Sequence, residues 1–132
     1  MEYGFGAHDY PTTGVFEVDP KSCPGFSYRR SILLGYTNML PFEFREFIDN
    51  LASDYHGDSY HLILKNCNHF TQDASMKLTG KSIPKWVNRV AHLSKGSSLI
   101  STIFRILYIS HLKFLDTRRR VVHYMAAKFS VL

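Results

Sequence analysis

The clearest regularity in the chain is Phe44, Phe47, Ile48 and Leu51, four apolar residues at the i, i+3, i+4, i+7 spacing of one buried helix face. Pro41 stands where a first helical residue belongs, because the N–H it lacks would have no intrahelical partner there. The spacing predicts a helix from Pro41 to about Tyr55, broken by Gly57-Asp58. A second stripe, Phe70, Ala74 and Leu78, follows from Cys67 and runs to Gly80, a residue suited to the position that closes a helix. A further short helix is expected from Pro84 through Trp86, Val87 and Val90.

Toward the N-terminus the pattern changes. Residues 2–7 and 13–18 are short and rich in aromatic and β-branched side chains, and the turn-like His8-Asp9-Tyr10-Pro11 separates them. They predict two adjacent strands. Asp19 to Gly25 reads as a loop by its Pro and Gly content, and Phe26 to Tyr36 as a third strand whose Arg29 and Arg30 suggest an edge or an exposed face. Tyr60 to Lys65 reads as a short strand or extended approach to Cys67. Beyond Gly96 the chain is different again. Leu99 to Leu115 is mostly apolar but contains Arg105, His111 and Lys113. A membrane span needs about 20 mostly apolar residues. The segment is therefore expected to be an amphipathic helix or a poorly ordered extension.

Composition narrows the class. With 132 residues, 45% of them apolar and 20% charged, the chain has material for one compact domain and too little for two. The net charge of +5 is unevenly placed: residues 1–96 hold ten Lys/Arg and ten Asp/Glu, whereas 97–132 hold Arg105, Lys113, Arg118, Arg119, Arg120 and Lys128 against Asp116 alone. The expected organisation is a neutral domain at 1–96 followed by a basic and apolar tail at 97–132. The tail reads as a solvated charge run, with no nucleic-acid partner expected and membrane association disfavoured. Two cysteines, Cys23 and Cys67, make no disulfide framework, and residues 1–10 have no basic and apolar leader pattern. A reducing cytoplasmic setting, shared with the nucleus, is expected.

The chemistry centres on Cys67, in Lys65-Asn66-Cys67-Asn68-His69-Phe70. A thiol at a helix N-terminus meets unpaired backbone N–H groups and the positive end of the macrodipole, and both favour thiolate. The same N–H groups are placed to stabilise an oxyanion. The residues alone leave alternatives open: a small buried hydrophobe, or a metal ligand together with His61 and His69, although that spacing matches no common zinc pattern. Cys23, in a Pro-flanked loop, carries only the first of these.

The stretch Tyr60-His-Leu-Ile-Leu-Lys-Asn-Cys-Asn-His-Phe70, with Lys77-Leu-Thr-Gly80 and Ile83-Pro-Lys-Trp-Val-Asn-Arg89 after it, resembles the active-cysteine region of the PPPDE, or desumoylating isopeptidase-like, cysteine peptidases. Glu2 to Pro11 and Gly14-Val-Phe-Glu-Val18 resemble the central hairpin of the same family, so the match runs from residue 2 to about 93. The resemblance implies an α+β domain, a permuted papain-like thiol peptidase with an antiparallel sheet and helices. It implies Cys67 as nucleophile, no cofactor and no metal, and ubiquitin or SUMO-type conjugates as partners. It also places the family's catalytic histidine upstream of Glu2, so the family's first strand and helix are expected to be missing, leaving an interior strand unpaired. Neither His8 nor His69 matches that histidine. Trp86 could wall a narrow groove or belong to the core. Two functions follow, an impaired isopeptidase or a catalytically inactive module that binds ubiquitin or SUMO. A third, a peripheral membrane protein, rests on residues 99–120 alone.

Overall fold

The computed structural model describes residues 1–87, 108–115 and 120–129. Five strands and two helices follow in the order β1 (Glu2–Phe5), β2 (Val15–Val18), β3 (Phe26–Thr37), α1 (Pro41–Ala52), α2 (Cys67–Thr79), β4 (Tyr108–Leu115) and β5 (Arg120–Phe129), with a short 3-10 turn at Gly57–Ser59. The strands form one antiparallel sheet in the order β2-β1-β4-β5-β3. The architecture is α+β, as expected.

Most of the predicted elements are present with ends shifted by one to three residues: β1, β2 and α1 are shorter than expected and β3 runs one residue further, to Thr37. α1 stops at Ala52 because Ser53 and Asp54 close it with turn hydrogen bonds rather than further helix. Its buried face is Phe44, Ile48, Leu51 and Ala52, and Phe47 is only partly covered. Glu43 accepts a 2.6 Å hydrogen bond from the Leu40 N–H, a free donor of the kind every helix start carries. α2 buries Phe70, Ala74 and Leu78, and Gly80 closes it at φ +69°, a left-handed conformation that costs glycine little. Arg29 and Arg30 are exposed on β3, an edge strand.

Three expectations are corrected. Tyr60 to Lys65 is no strand: His61 and Lys65 exchange two backbone hydrogen bonds of 2.9 Å across a tight turn. Tyr108–Leu115 is neither an amphipathic helix nor an unordered extension. It is β4, hydrogen-bonded to β1 on one side and β5 on the other. Within it Leu112 and Phe114 alternate with His111 and Lys113 at the period of a strand. Nor is β1 left unpaired: β2 and β4 flank it. Pro84 to Val87 forms a turn, and Val90 and residues 99–107 lie outside the described residues.

One core holds the layers together. Phe5 from β1, Leu34 from β3 and Val122 from β5 meet Phe44, Ile48 and Leu51 of α1 and Phe70, Ala74 and Leu78 of α2. Tyr55 joins them, its ring edge-on to Phe5 (4.9 Å) and Phe70 (5.3 Å). Aromatic pairs in that geometry add about 0.5–1.5 kcal/mol beyond their buried area. The consequence for function is positional: Tyr55 and Phe70 fix the start of α2 against the strand that begins the chain. Among the described residues no helix is long and apolar enough to cross a membrane.

Candidate active site

Cys67 is the first residue of α2 and is 2% exposed. The helix starts there because Asn66 is an N-cap with extended backbone (φ −121°, ψ −176°). Its Oδ1 accepts from the N–H groups of Asn68 (2.9 Å) and His69 (3.3 Å), and its Nδ2 donates to the Leu62 carbonyl at 2.6 Å. In return, His69 Nδ1 accepts from the Asn66 N–H at 3.1 Å, a reciprocal capping box. Nδ1 also lies 2.9 Å from Asn66 Oδ1. Burial holds the His69 pKa below its ordinary value and so favours the neutral ring, with Asp73 a smaller opposing influence.

Tyr60 completes the surroundings of the sulfur. It lies close enough to Cys67 for the cysteine to act on its phenol. Its ring is tilted against Phe5 at 5.1 Å. Burial above all, with the nearby Cys67 second, pushes its pKa up, so the phenol keeps its proton at neutral pH. The turn after it is rigid by construction: His61 Nδ1 accepts from Ile63 and Leu64 (3.2 Å each), and Lys65 Nζ donates to the Asp54 carbonyl at 2.7 Å. The β1–β2 connection braces the stretch leading to Tyr60. Gly14 donates to the Tyr55 carbonyl at 2.8 Å and Gly57 to the Thr12 carbonyl at 2.9 Å.

These contacts change the expectation that N–H groups at this helix start stand unpaired. The cap side chain holds those of Asn68 and His69. The reason is burial, since a donor that water cannot reach must find a protein acceptor. No acidic residue lies in the first turn of α2, so the helix end retains its positive character toward sulfur. Asn68 Oδ1, beside the cysteine, is buried with no hydrogen-bond partner.

The histidines singled out in the sequence have other occupations. His8 Nε2 lies 2.9 Å from the Thr13 carbonyl and its Nδ1 accepts from the Tyr10 N–H, which makes it a turn residue. His61 and His69 each spend Nδ1 on backbone N–H groups, so those nitrogens are not disposed toward a metal shared with Cys67. Cys23 is buried (9% exposed), and burial first, then Glu2 and Cys67, pushes its thiol pKa up. Trp86 packs against the core with the Arg30 guanidinium 4.7 Å over its ring. Two residues of the site were not singled out in the sequence. Asn66 carries a readable signal, an N-cap residue type directly before a helical stripe. Tyr60, seven positions before the cysteine, carries none, because a folded turn brings it back.

Comparison with known proteins agrees with this arrangement. A family model described as the PPPDE putative peptidase domain matches residues 1–106. A DeSI-like protein of Arabidopsis thaliana is 57% identical over 93 residues, 70% of this chain and 42% of that protein. A desumoylating isopeptidase 1 homolog of Caenorhabditis elegans is 43% identical over 98 residues, 71% of this chain and 29% of its own length. The DeSI-like protein sdu1 of Schizosaccharomyces pombe is 38% identical over 94 residues, 70% and 47% respectively. The chain thus spans less than half the length of these relatives. No solved structure matches it significantly. With the matched region covering both strands of the N-terminal hairpin, both helices and the capped cysteine between them, the chain belongs to the PPPDE peptidase family.

Proposed function

We propose that this chain is a cysteine-type isopeptidase domain acting on proteins that carry SUMO or ubiquitin-type modifiers, with Cys67 as its nucleophile. The observation that carries the reading is the setting of Cys67: first residue of a capped helix, in contact with a protonated phenol, with no carboxylate in the first turn. Such a setting favours thiolate, the form of sulfur that attacks a carbonyl. The names of the relatives support the substrate class. The permuted papain-like architecture is part of the same proposal, supported by the antiparallel sheet and the cysteine-bearing helix packed against it.

A second reading, a module that binds a modifier without cleaving it, has its own support. His8, His61 and His69 use ring nitrogens elsewhere, and none of their described contacts is to Cys67. On this reading the domain holds the modifier and releases little or none of it. Incubation with isopeptide-linked SUMO and ubiquitin conjugates separates the readings. Release of free modifier that stops in Cys67→Ala supports the isopeptidase. Binding retained in both proteins, with no release in either, leaves the module.

A further inference from the structure

Asn68 follows Cys67 directly in α2, so their Cα atoms are about 3.8 Å apart and their side chains leave one helical turn about 100° from each other. Asn68 is 6% exposed, and its Oδ1 is the one buried side-chain oxygen or nitrogen without a hydrogen bond among the described residues. The polar groups buried around it are all held. Asn66 Oδ1 accepts from two N–H groups, Thr71 Oγ1 donates to the Cys67 carbonyl at 3.1 Å, and Ser75 Oγ donates to the Lys81 carbonyl at 2.5 Å. A buried acceptor left alone destabilises the chain that carries it, and such exceptions gather at functional sites. Cys67 is 2% exposed, so a carbonyl that reaches its sulfur must open this first turn, and the movement that uncovers Cys67 reaches its neighbour.

We propose that Asn68 is a substrate-binding residue, whose Oδ1 accepts the backbone N–H of the residue whose carbonyl Cys67 attacks. The inference rests on the reading of Cys67 as nucleophile and adds the group that holds the substrate against it. That N–H and the attacked carbon flank a single Cα of the substrate, a spacing suited to two adjacent residues of one helical turn. The backbone of Asn68 is itself held, its N–H donating to Asn66 Oδ1 at 2.9 Å. At Asn68 no proton moves and no covalent bond forms. The oxygen gives up no protein partner to take the N–H, and the new bond fixes the carbonyl beside the sulfur. A substrate with no N–H at that place, such as an ester, is bound less well.

The test compares two aldehydes on the intact chain, acetyl-Gly-Gly aldehyde and the same molecule with an ester oxygen in place of the N–H of its last residue. Both can form a hemithioacetal on Cys67, and only the first carries the donor. Affinity is read as protection of Cys67 from methyl methanethiosulfonate, which labels the thiol and has no N–H. The intact chain is expected to favour the amide about tenfold, and Asn68→Leu, which keeps the shape of the side chain without its oxygen, to bind the two within about threefold of each other. The methanethiosulfonate rate of Asn68→Leu should match wild type and its urea midpoint should be no lower, because the oxygen it removes holds nothing in the free chain. Asn68→Ala, which adds no methyl groups, repeats the comparison. A preference for the amide that persists in both variants, or equal affinities for the two aldehydes on the intact chain, overturns the inference, while the adduct itself upholds Cys67 as nucleophile. If neither aldehyde adds to Cys67, the nucleophile reading falls and the inference falls with it.

Discussion

Replacing Asn66 with alanine tests whether the cap builds this site. The side chain accepts two N–H bonds at the start of α2 and donates one to Leu62, and the residue is 4% exposed. Loss of an N-cap acceptor costs about 0.5–2 kcal/mol. The Leu62 carbonyl, only partly buried, loses its donor, at the lower end of the roughly 1–3 kcal/mol for an unsatisfied buried group. Together these give about 2–3 kcal/mol, or a fall of about 10 °C in Tm for a chain of this size. Asn66→Asp separates the two contributions. It keeps the acceptor and gains from the helix macrodipole, but sets an oxygen against the Leu62 carbonyl where a donor stood at 2.6 Å. Its stability should fall between wild type and Asn66→Ala. Urea unfolding followed by circular dichroism measures all three. An Asn66→Ala protein within about 0.5 kcal/mol of wild type would refute the reasoning, since that is the size of an ordinary surface substitution. So would an Asn66→Asp protein no better than Asn66→Ala.

Further expectations follow from single contacts. The folded pKa of His69 is depressed, so the unfolded chain binds more protons there; the stability from its capping bond is complete above the unfolded pKa of about 6.5 and declines as pH falls through the lower folded value. His69→Gln, a capping-box residue that does not titrate, should keep stability at pH 7 and flatten this part of the urea midpoint's pH dependence. Gly80→Ala should cost about 1–2 kcal/mol from its left-handed backbone alone, because a Cβ there meets nothing within 4 Å. Gly14→Ala should cost more and reduce the soluble yield, since its Cβ would run into the Gly6 carbonyl oxygen and the Gly57 backbone. Phe70→Ala, at a fully buried position, should lose about 3–5 kcal/mol in the same unfolding assay.

How far the sequence reaches depends on how local the cause is. α1 and α2 were legible because their apolar stripes, Pro41 and Gly80 are properties of neighbouring residues. Cys67 at a helix start was legible for the same reason. The C-terminal strands were not, because the average apolarity of residues 99–115 hides the alternation of 108–115, and nothing in that stretch announces pairing with β1, more than 100 positions earlier. Tyr60 lies at the same limit. It comes near Cys67 through a turn whose shape comes from His61 accepting two N–H groups, an interaction with no spacing signature. The unpaired N–H groups expected at the start of α2 were a general property of helix ends, and here the side chain of Asn66 takes up those of Asn68 and His69.

The central claim is that Cys67 is a nucleophile shaped for the C-terminus of a ubiquitin-like modifier. Its most direct test is covalent capture of the chain by SUMO and by ubiquitin carrying C-terminal electrophiles, read by intact mass and peptide mapping. The account predicts one adduct, on Cys67, absent from Cys67→Ala and slower to form in Asn66→Ala. No adduct with either modifier, or one that persists in Cys67→Ala, would contradict it.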